Sequence, residues 1–121
     1  MYCTQIVMQP TACNSDTQLL IAIKALHTNY ARRTAIRNTW GNPKYFQDFK
    51  MKRLFLFGHD DAEKLKIDAA EFDDVLVGDF DESFYNLTFK DSMLVKWNNK
   101  HCNASFIFKV KAKNKFTQNF T

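Results

Sequence analysis

An α/β fold, a mostly parallel sheet with helices on both faces, is the class this sequence predicts. Three observations carry it: short apolar runs recur along the chain, segments of helical periodicity separate them, and turn residues stand at the joins. Strand and helix in alternation require right-handed crossovers, which lay helices over both faces of a parallel sheet.

The first run, Leu19-Leu20-Ile21-Ala22-Ile23, follows polar residues and is continuous, as in a strand buried on both faces. From Tyr30 to Trp40, Arg33, Ile36, Arg37 and Trp40 share one helical face, and Gly41-Asn42-Pro43 ends the helix. Leu54-Phe55-Leu56-Phe57, closed by Gly58, is the second strand. A helix over Asp60 to Phe72 follows, periodic through Leu65 and Ala69, with Asp60 and Asp61 suited to its N-terminus. Val75-Leu76-Val77 makes a third strand. Asn86 to Cys102 reads as the longest helix, its apolar face formed by Leu87, Phe89, Met93, Leu94 and Trp97, with Lys90 intruding. Ser105-Phe106-Ile107-Phe108 is the fourth strand. In this order the elements form a Rossmann-like half-domain. Residues 1–18 read as an N-terminal extension, 19–110 as the partial domain and 111–121 as a basic tail, with no internal repeat or linker.

At 121 residues the chain has room for one small domain. A hydrophobic content of 45% with 12 Phe excludes disorder for the whole, because such a chain offsets its ordering entropy by burial. The net charge of +4 resides in residues 109–121, where Lys109, Lys111, Lys113 and Lys115 occur without an acid; the 13 remaining basic residues balance the 13 acidic ones. A neutral body argues against nucleic acid as a partner; the tail is read as solvated or aberrant in preference to a site for RNA or an acidic surface. The apolar run from Leu19 to Leu26 is broken by Lys24 and falls short of the roughly 18 residues of a membrane span. MYCTQIVMQP lacks the basic and then apolar layout of a signal peptide, so a secretory setting would require targeting and anchoring segments that this sequence does not show.

Three cysteines, Cys3, Cys13 and Cys102, match no metal-ligand spacing, which argues against a zinc site and allows one disulfide with one thiol left over. The sequons at Asn86, Asn103 and Asn119 agree with a lumenal setting. His27, His59 and His101 are scattered, and no catalytic triad, glycine-rich phosphate loop or paired-cysteine motif is visible. The densest motif is RTAIRNTWG, Arg33 to Gly41. It sets the guanidiniums of Arg33 and Arg37 one turn apart, fit either for a phosphate of a nucleotide or for an internal ion pair with the acids of Asp79-Phe80-Asp81.

Taken together, LLIAIKAL, ARRTAIRNTWG, LFLFG, DFDESFYNLTFKDSMLVKW, HC and FIFKV resemble, in order and spacing, the Golgi family of β1,3-galactosyltransferases and β1,3-N-acetylglucosaminyltransferases, over about residues 13–110. Glu82 is a conservative departure, standing where the second long motif usually has its later Asp. The resemblance implies a GT-A-like fold whose Rossmann-like N-terminal half binds a UDP-sugar. It implies a hexosyltransferase that moves galactose or N-acetylglucosamine in β1,3 linkage to a glycan acceptor in the Golgi lumen or at its membrane, as part of protein glycosylation. In that family an acidic triplet closing the fourth strand holds Mn²⁺ on the diphosphate, where a hard cation with oxygen ligands neutralises the charge developing on departing UDP.

Here Phe106-Ile107-Phe108-Lys109-Val110 is followed by Lys111-Ala112-Lys113 in place of three Asp. Ammonium groups repel Mn²⁺ and cannot ligate it, so the cofactor of the intact family is not expected on this chain. The family's acceptor site and catalytic base come after the triplet. The chain therefore reads as a truncated front half, inactive alone, in which no catalytic residue is named; the rival is a non-catalytic sugar-nucleotide or protein-binding relic. The D-x-D of Asp79 to Asp81 looks like a metal motif but falls in the family's DFxD segment, ahead of the long helix.

If the four strands, counted from Leu19, take the half-order 3-2-1-4, the first and fourth are parallel neighbours. Cys13 and Cys102 then lie at one edge of the sheet, close enough for a disulfide, with Cys3 free; a buried free thiol at Cys102 is the alternative. Asn86, at the start of the long helix, is the sequon expected to be used most, ahead of Asn103 and Asn119.

Overall fold

The structure, a computed structural model, describes residues 5–24, 30–46, 48–59, 62–80 and 87–111. Five strands form one sheet: β1 (Ile6–Met8), β2 (Leu19–Lys24), β3 (Met51–Phe57), β4 (Val75–Gly78) and β5 (Phe106–Lys111). Their spatial order is β1-β4-β3-β2-β5. β2, β3, β4 and β5 are parallel, and β1 runs antiparallel to β4. The helices are α1 (Tyr30–Asn38), α2 (Lys66–Phe72) and α3 (Leu87–Trp97), the last running on into a wider helical turn over Asn98–Cys102. This is the Rossmann-like part of a GT-A fold, and its parallel strands have the half-order expected.

The period of two along each strand divides the core between two faces. Leu20, Ala22, Leu54, Leu56 and Leu76 turn one way and pack with Met93, Leu94 and Trp97 of α3. Ile21, Ile23, Phe55, Phe57, Val75 and Val77 turn the other way, to Ile36 of α1 and to Leu65 just before α2. With both faces covered, β3 and β4 can be continuous apolar runs. Trp97, the largest fully buried side chain, donates its indole N–H to the Gln9 side-chain oxygen at 3.0 Å, which meets the polar demand of a buried indole.

Several boundaries differ from those read in the sequence. α1 stops at Asn38, and the Gly41 N–H donates to the Ile36 carbonyl at 2.8 Å. A Cβ on Gly41 would lie 2.8 Å from that carbonyl oxygen and 2.9 Å from Ile36 Cγ2, so glycine is required for close approach and not for an unusual φ. The helix expected from Asp60 is regular only over Lys66–Phe72, after a 3₁₀ turn at Glu63–Leu65; Asp60 and Asp61 lie outside the described residues. Ile6–Met8, inside the span read as an extension, pairs with Gly78 and Val77 and so covers the outer edge of β4. At the opposite edge β5 exposes Phe106 and Phe108, at 64% and 54%. Phe108 and Val110 border an apolar cavity of about 260 Å³ with Leu19, Ile21, Trp40 and Phe46.

Candidate functional site

In open α/β sheets ligands bind outside the carboxyl ends of the strands, where successive connections leave in opposite directions. β2 leads through α1 to β3 on one side of itself, whereas β4 leads through α3 to β5 on its other side, and α1 and α3 cover opposite faces. The switch point is therefore the crevice beyond Lys24 and Lys111, the last residues of β2 and β5, which are register partners across the ladder. Each βα crossover also brings a helix start to this edge, so the first residues of α3 are close by.

The chemistry there is cationic. Lys24 Nζ lies 3.0 Å from Asp91 Oδ1, and Lys109 Nζ lies 3.7 Å from the same oxygen. Lys109 and Lys111 alternate with Phe108 and Val110, which puts both on the α3 face beside Ala22 and Lys24. Lys90, which intrudes on the apolar face of α3, is 8% exposed and has its own interactions. One carboxylate thus serves two ammoniums, with a third at the strand end.

Mn²⁺ does not fit this donor set. Asp91 already bridges two lysines, and Lys111 occupies the first position at which the family resemblance places an Asp; Ala112 and Lys113 lie outside the described residues. Among the described residues no cluster of three or more His, Cys, Asp or Glu could hold a metal ion. Asp79 is exposed after β4 and its N–H donates to the Gln5 carbonyl at 2.8 Å, while Asp81 is not described.

Arg33 and Arg37 lie elsewhere, between α1, α2 and the sheet. Arg33 makes a bidentate pair with Asp68 at 2.8 and 2.9 Å. Arg37 does the same with Asp74 at 2.7 and 2.9 Å and also reaches Asp68 at 2.7 Å. Arg53 of β3 adds a bond to Asp74 at 2.7 Å and one to the Gly41 carbonyl at 2.9 Å. Arg33, Arg37, Asp68 and Asp74 are each no more than 4% exposed. The acids engaged are Asp68 and Asp74, not the Asp79 to Asp81 segment anticipated from the sequence. Asp74 precedes β4, so this cluster extends toward the amino ends of the strands, away from the switch point, and its guanidiniums are taken up by carboxylates. Arg37 Nη1 has no hydrogen-bond partner, but the guanidinium lies 3.9 Å from the Phe72 ring centroid, a face that accepts a cation.

Burial by itself would raise the Asp68 pKa, but the hydrogen bonds and charges of Arg33 and Arg37 outweigh it and hold this carboxyl below the usual range. Burial likewise works to lower the Arg37 pKa and is outweighed by Asp74 and Asp68, leaving it above the ordinary value. Both groups stay charged across the physiological range.

A disulfide joins Cys13 to Cys102, with an S–S distance of 2.01 Å and a Cα–Cα distance of 4.6 Å, at the amino ends of β2 and β5. The Cys13 N–H also donates to the His101 carbonyl at 3.0 Å. Asn103 is exposed in a left-handed conformation, φ 60°, just after the wide turn; Asn86, Asn119 and Cys3 lie outside the described residues. The grouping of Lys24, Lys109 and Asp91 was missed in the sequence, where Lys24 stood out only as an interruption of an apolar run. The half-order 3-2-1-4 was the available signal, since it makes the ends of the first and fourth strands neighbours.

Comparison with known proteins bears on the same stretch of chain. The galactosyltransferase family model matches residues 31–113. Human N-acetyllactosaminide β1,3-N-acetylglucosaminyltransferase 4 is 39% identical over 110 residues, covering 86% of this chain and 29% of that protein. Human lactosylceramide 1,3-N-acetyl-β-D-glucosaminyltransferase is 37% identical over 103 residues, 76% of this chain and 27% of the relative. Mouse β1,3-galactosyltransferase 1 is 31% identical over 111 residues, 87% and 34% respectively. The chain spans about three tenths of the length of these curated relatives.

Proposed function

This chain belongs to the galactosyltransferase family, and from that premise we propose that it is the sugar-nucleotide side of a β1,3-hexosyltransferase. The donor is a UDP-sugar carrying galactose or N-acetylglucosamine, the acceptor is a glycan, and the setting is the Golgi lumen, where the reaction contributes to protein glycosylation. The observation that carries this reading is the switch point between β2 and β5 at the carboxyl end of a parallel sheet; β5 lies within the stretch that the family model matches.

The described residues at this crevice bind and orient; among them there is no candidate for the catalytic base. Lys24, Lys109 and Lys111 supply positive charge toward the diphosphate, while the buried Arg33, Arg37, Asp68 and Asp74 cluster holds α1 and α2 on the sheet behind them. A second reading, a nucleotide-binding relic without transfer chemistry, is favoured by one observation: Lys111 stands where the resemblance calls for a metal-binding Asp.

The test is a radiolabelled-sugar transfer assay with UDP-galactose and UDP-N-acetylglucosamine on lactosamine-type acceptors, run in Mn²⁺ on this 121-residue chain and, alongside, saturation-transfer NMR with UDP. Contact of UDP protons with the chain and no sugar transfer is the expected result. Metal-dependent transfer by the chain would overturn the view of residues 111–113, and absence of any UDP contact would overturn the nucleotide site itself.

A further inference from the structure

We propose that the crevice between β2 and β5 binds a nucleoside diphosphate without a divalent cation, with Lys24, Lys109 and Lys111 supplying the positive charge a metal would otherwise bring. This rests on the sugar-nucleotide reading above and deepens it.

Lys24 and Lys111 are direct register partners on adjacent parallel strands. Such strands are only about 4.8 Å apart, and like charges placed opposite each other disfavour the pairing. Lys109 precedes Lys111 by two residues, on the same face, and shares its carboxylate oxygen with Lys24. Lys24 and Lys109 therefore share the Asp91 carboxylate, and Lys111 stands opposite Lys24 at the strand end. Two of them already converge on a single carboxylate oxygen, an arrangement that a phosphate oxygen can occupy in the same way. Lys109 and Lys111 are exposed, so an entering anion reaches them without unfolding anything.

A diphosphate brings at least two negative charges and more acceptor oxygens than Asp91 offers, so it offsets the repulsion between Lys24 and Lys111. Mn²⁺ has the opposite effect, adding positive charge beside these lysines. Holding the diphosphate here is a binding event only; no bond is made or broken in it.

The test is calorimetric titration of the chain with UDP in EDTA and again in Mn²⁺, with inorganic pyrophosphate and uridine as partial ligands. Expected are UDP and pyrophosphate binding in EDTA, a Kd that Mn²⁺ does not tighten, and weakening as salt screens the lysines. Lys109→Ala and Lys111→Ala should each weaken UDP about tenfold, and Lys111→Arg, which keeps the charge, should not. Both positions are exposed, and circular dichroism of each variant checks that the fold is retained.

UDP binding that requires Mn²⁺ overturns this inference and leaves the nucleotide reading standing. Binding in EDTA that Lys109→Ala and Lys111→Ala leave unchanged overturns the assignment to these lysines. Failure of UDP to bind in either buffer sinks the inference and the nucleotide reading together.

Discussion

Replacing Asp68 by Asn tests whether the buried ion cluster holds the helices to the sheet. Asp68 accepts from both Arg33 and Arg37 while 1% exposed, so the change leaves three guanidiniums, counting Arg53, with Asp74 as the remaining carboxylate of the cluster. Breaking one side of a buried ion pair costs about 3–5 kcal/mol, because the abandoned charge has no water to return to. Domains of this size have about 5–15 kcal/mol in all, so Asp68→Asn should remove roughly a fifth or more of the stability. In urea titrations followed by Trp fluorescence, the midpoint should fall by roughly 2 M for a slope near 2 kcal/mol per molar. Asp16→Asn, at an exposed residue 3.9 Å from Lys50, is the control and should change stability by less than about 0.5 kcal/mol. Adding Arg33→Met to Asp68→Asn should recover at least about 1 kcal/mol, since it removes one of the two guanidinium charges that the Asp68 carboxylate balanced. A loss below about 1 kcal/mol for Asp68→Asn, or no recovery in the double variant, would refute the assignment of these charges to stability.

Four other outcomes are expected. Because the Asp68 pKa is depressed in the folded state, its contribution is complete above the ordinary carboxylate value near 4 and drains away as pH falls through the lower folded value; acid titration of wild type should therefore show a loss below about pH 4 that Asp68→Asn largely lacks. Cys13→Ser should lower stability by up to about 4–5 kcal/mol, the chain-entropy figure for a link spanning 89 residues, as measured by urea melts with and without reductant. Phe106 and Phe108 are exposed on an edge strand, so the chain should self-associate, and Phe106→Lys with Phe108→Lys should shift light scattering toward monomer. In a secretory expression host Asn86 should be glycosylated more fully than Asn103 or Asn119; glycopeptide maps with Asn103 filled and Asn86 empty would contradict that order.

The sheet was largely legible because a strand buried on both faces must be apolar throughout, and Leu19 to Ile23, Leu54 to Phe57 and Val75 to Val77 leave few other readings. β1 was not: Ile6-Val7-Met8 is too short to stand out, and its role arises only when β4 presents an edge to it. The ion cluster was half legible. Two arginines one turn apart on an apolar helix face announce buried carboxylates, but Asp68 and Asp74 are 31 to 37 residues from them, and the choice between these and Asp79 depends on how α2 packs. The lysine crevice belongs to no segment, being created where two strand ends become neighbours, so composition and periodicity have no access to it.

The link between Cys13 and Cys102 has a consequence for the far end of the same two strands. It ties β2 and β5 where both begin, as the rivet of a pair of tongs fixes two arms whose tips stay open. A slip of β5 by one residue would turn Phe106, Phe108 and Val110 toward α3 and carry Lys109 and Lys111 to the opposite face. The rivet opposes the slip, so a covalent bond made a full strand length away favours the pairing of Lys24 with Lys111. An oxidising compartment thereby helps set the spacing of the charges at the crevice, and the same chain made where thiols stay reduced would have to hold that alignment by backbone pairing alone.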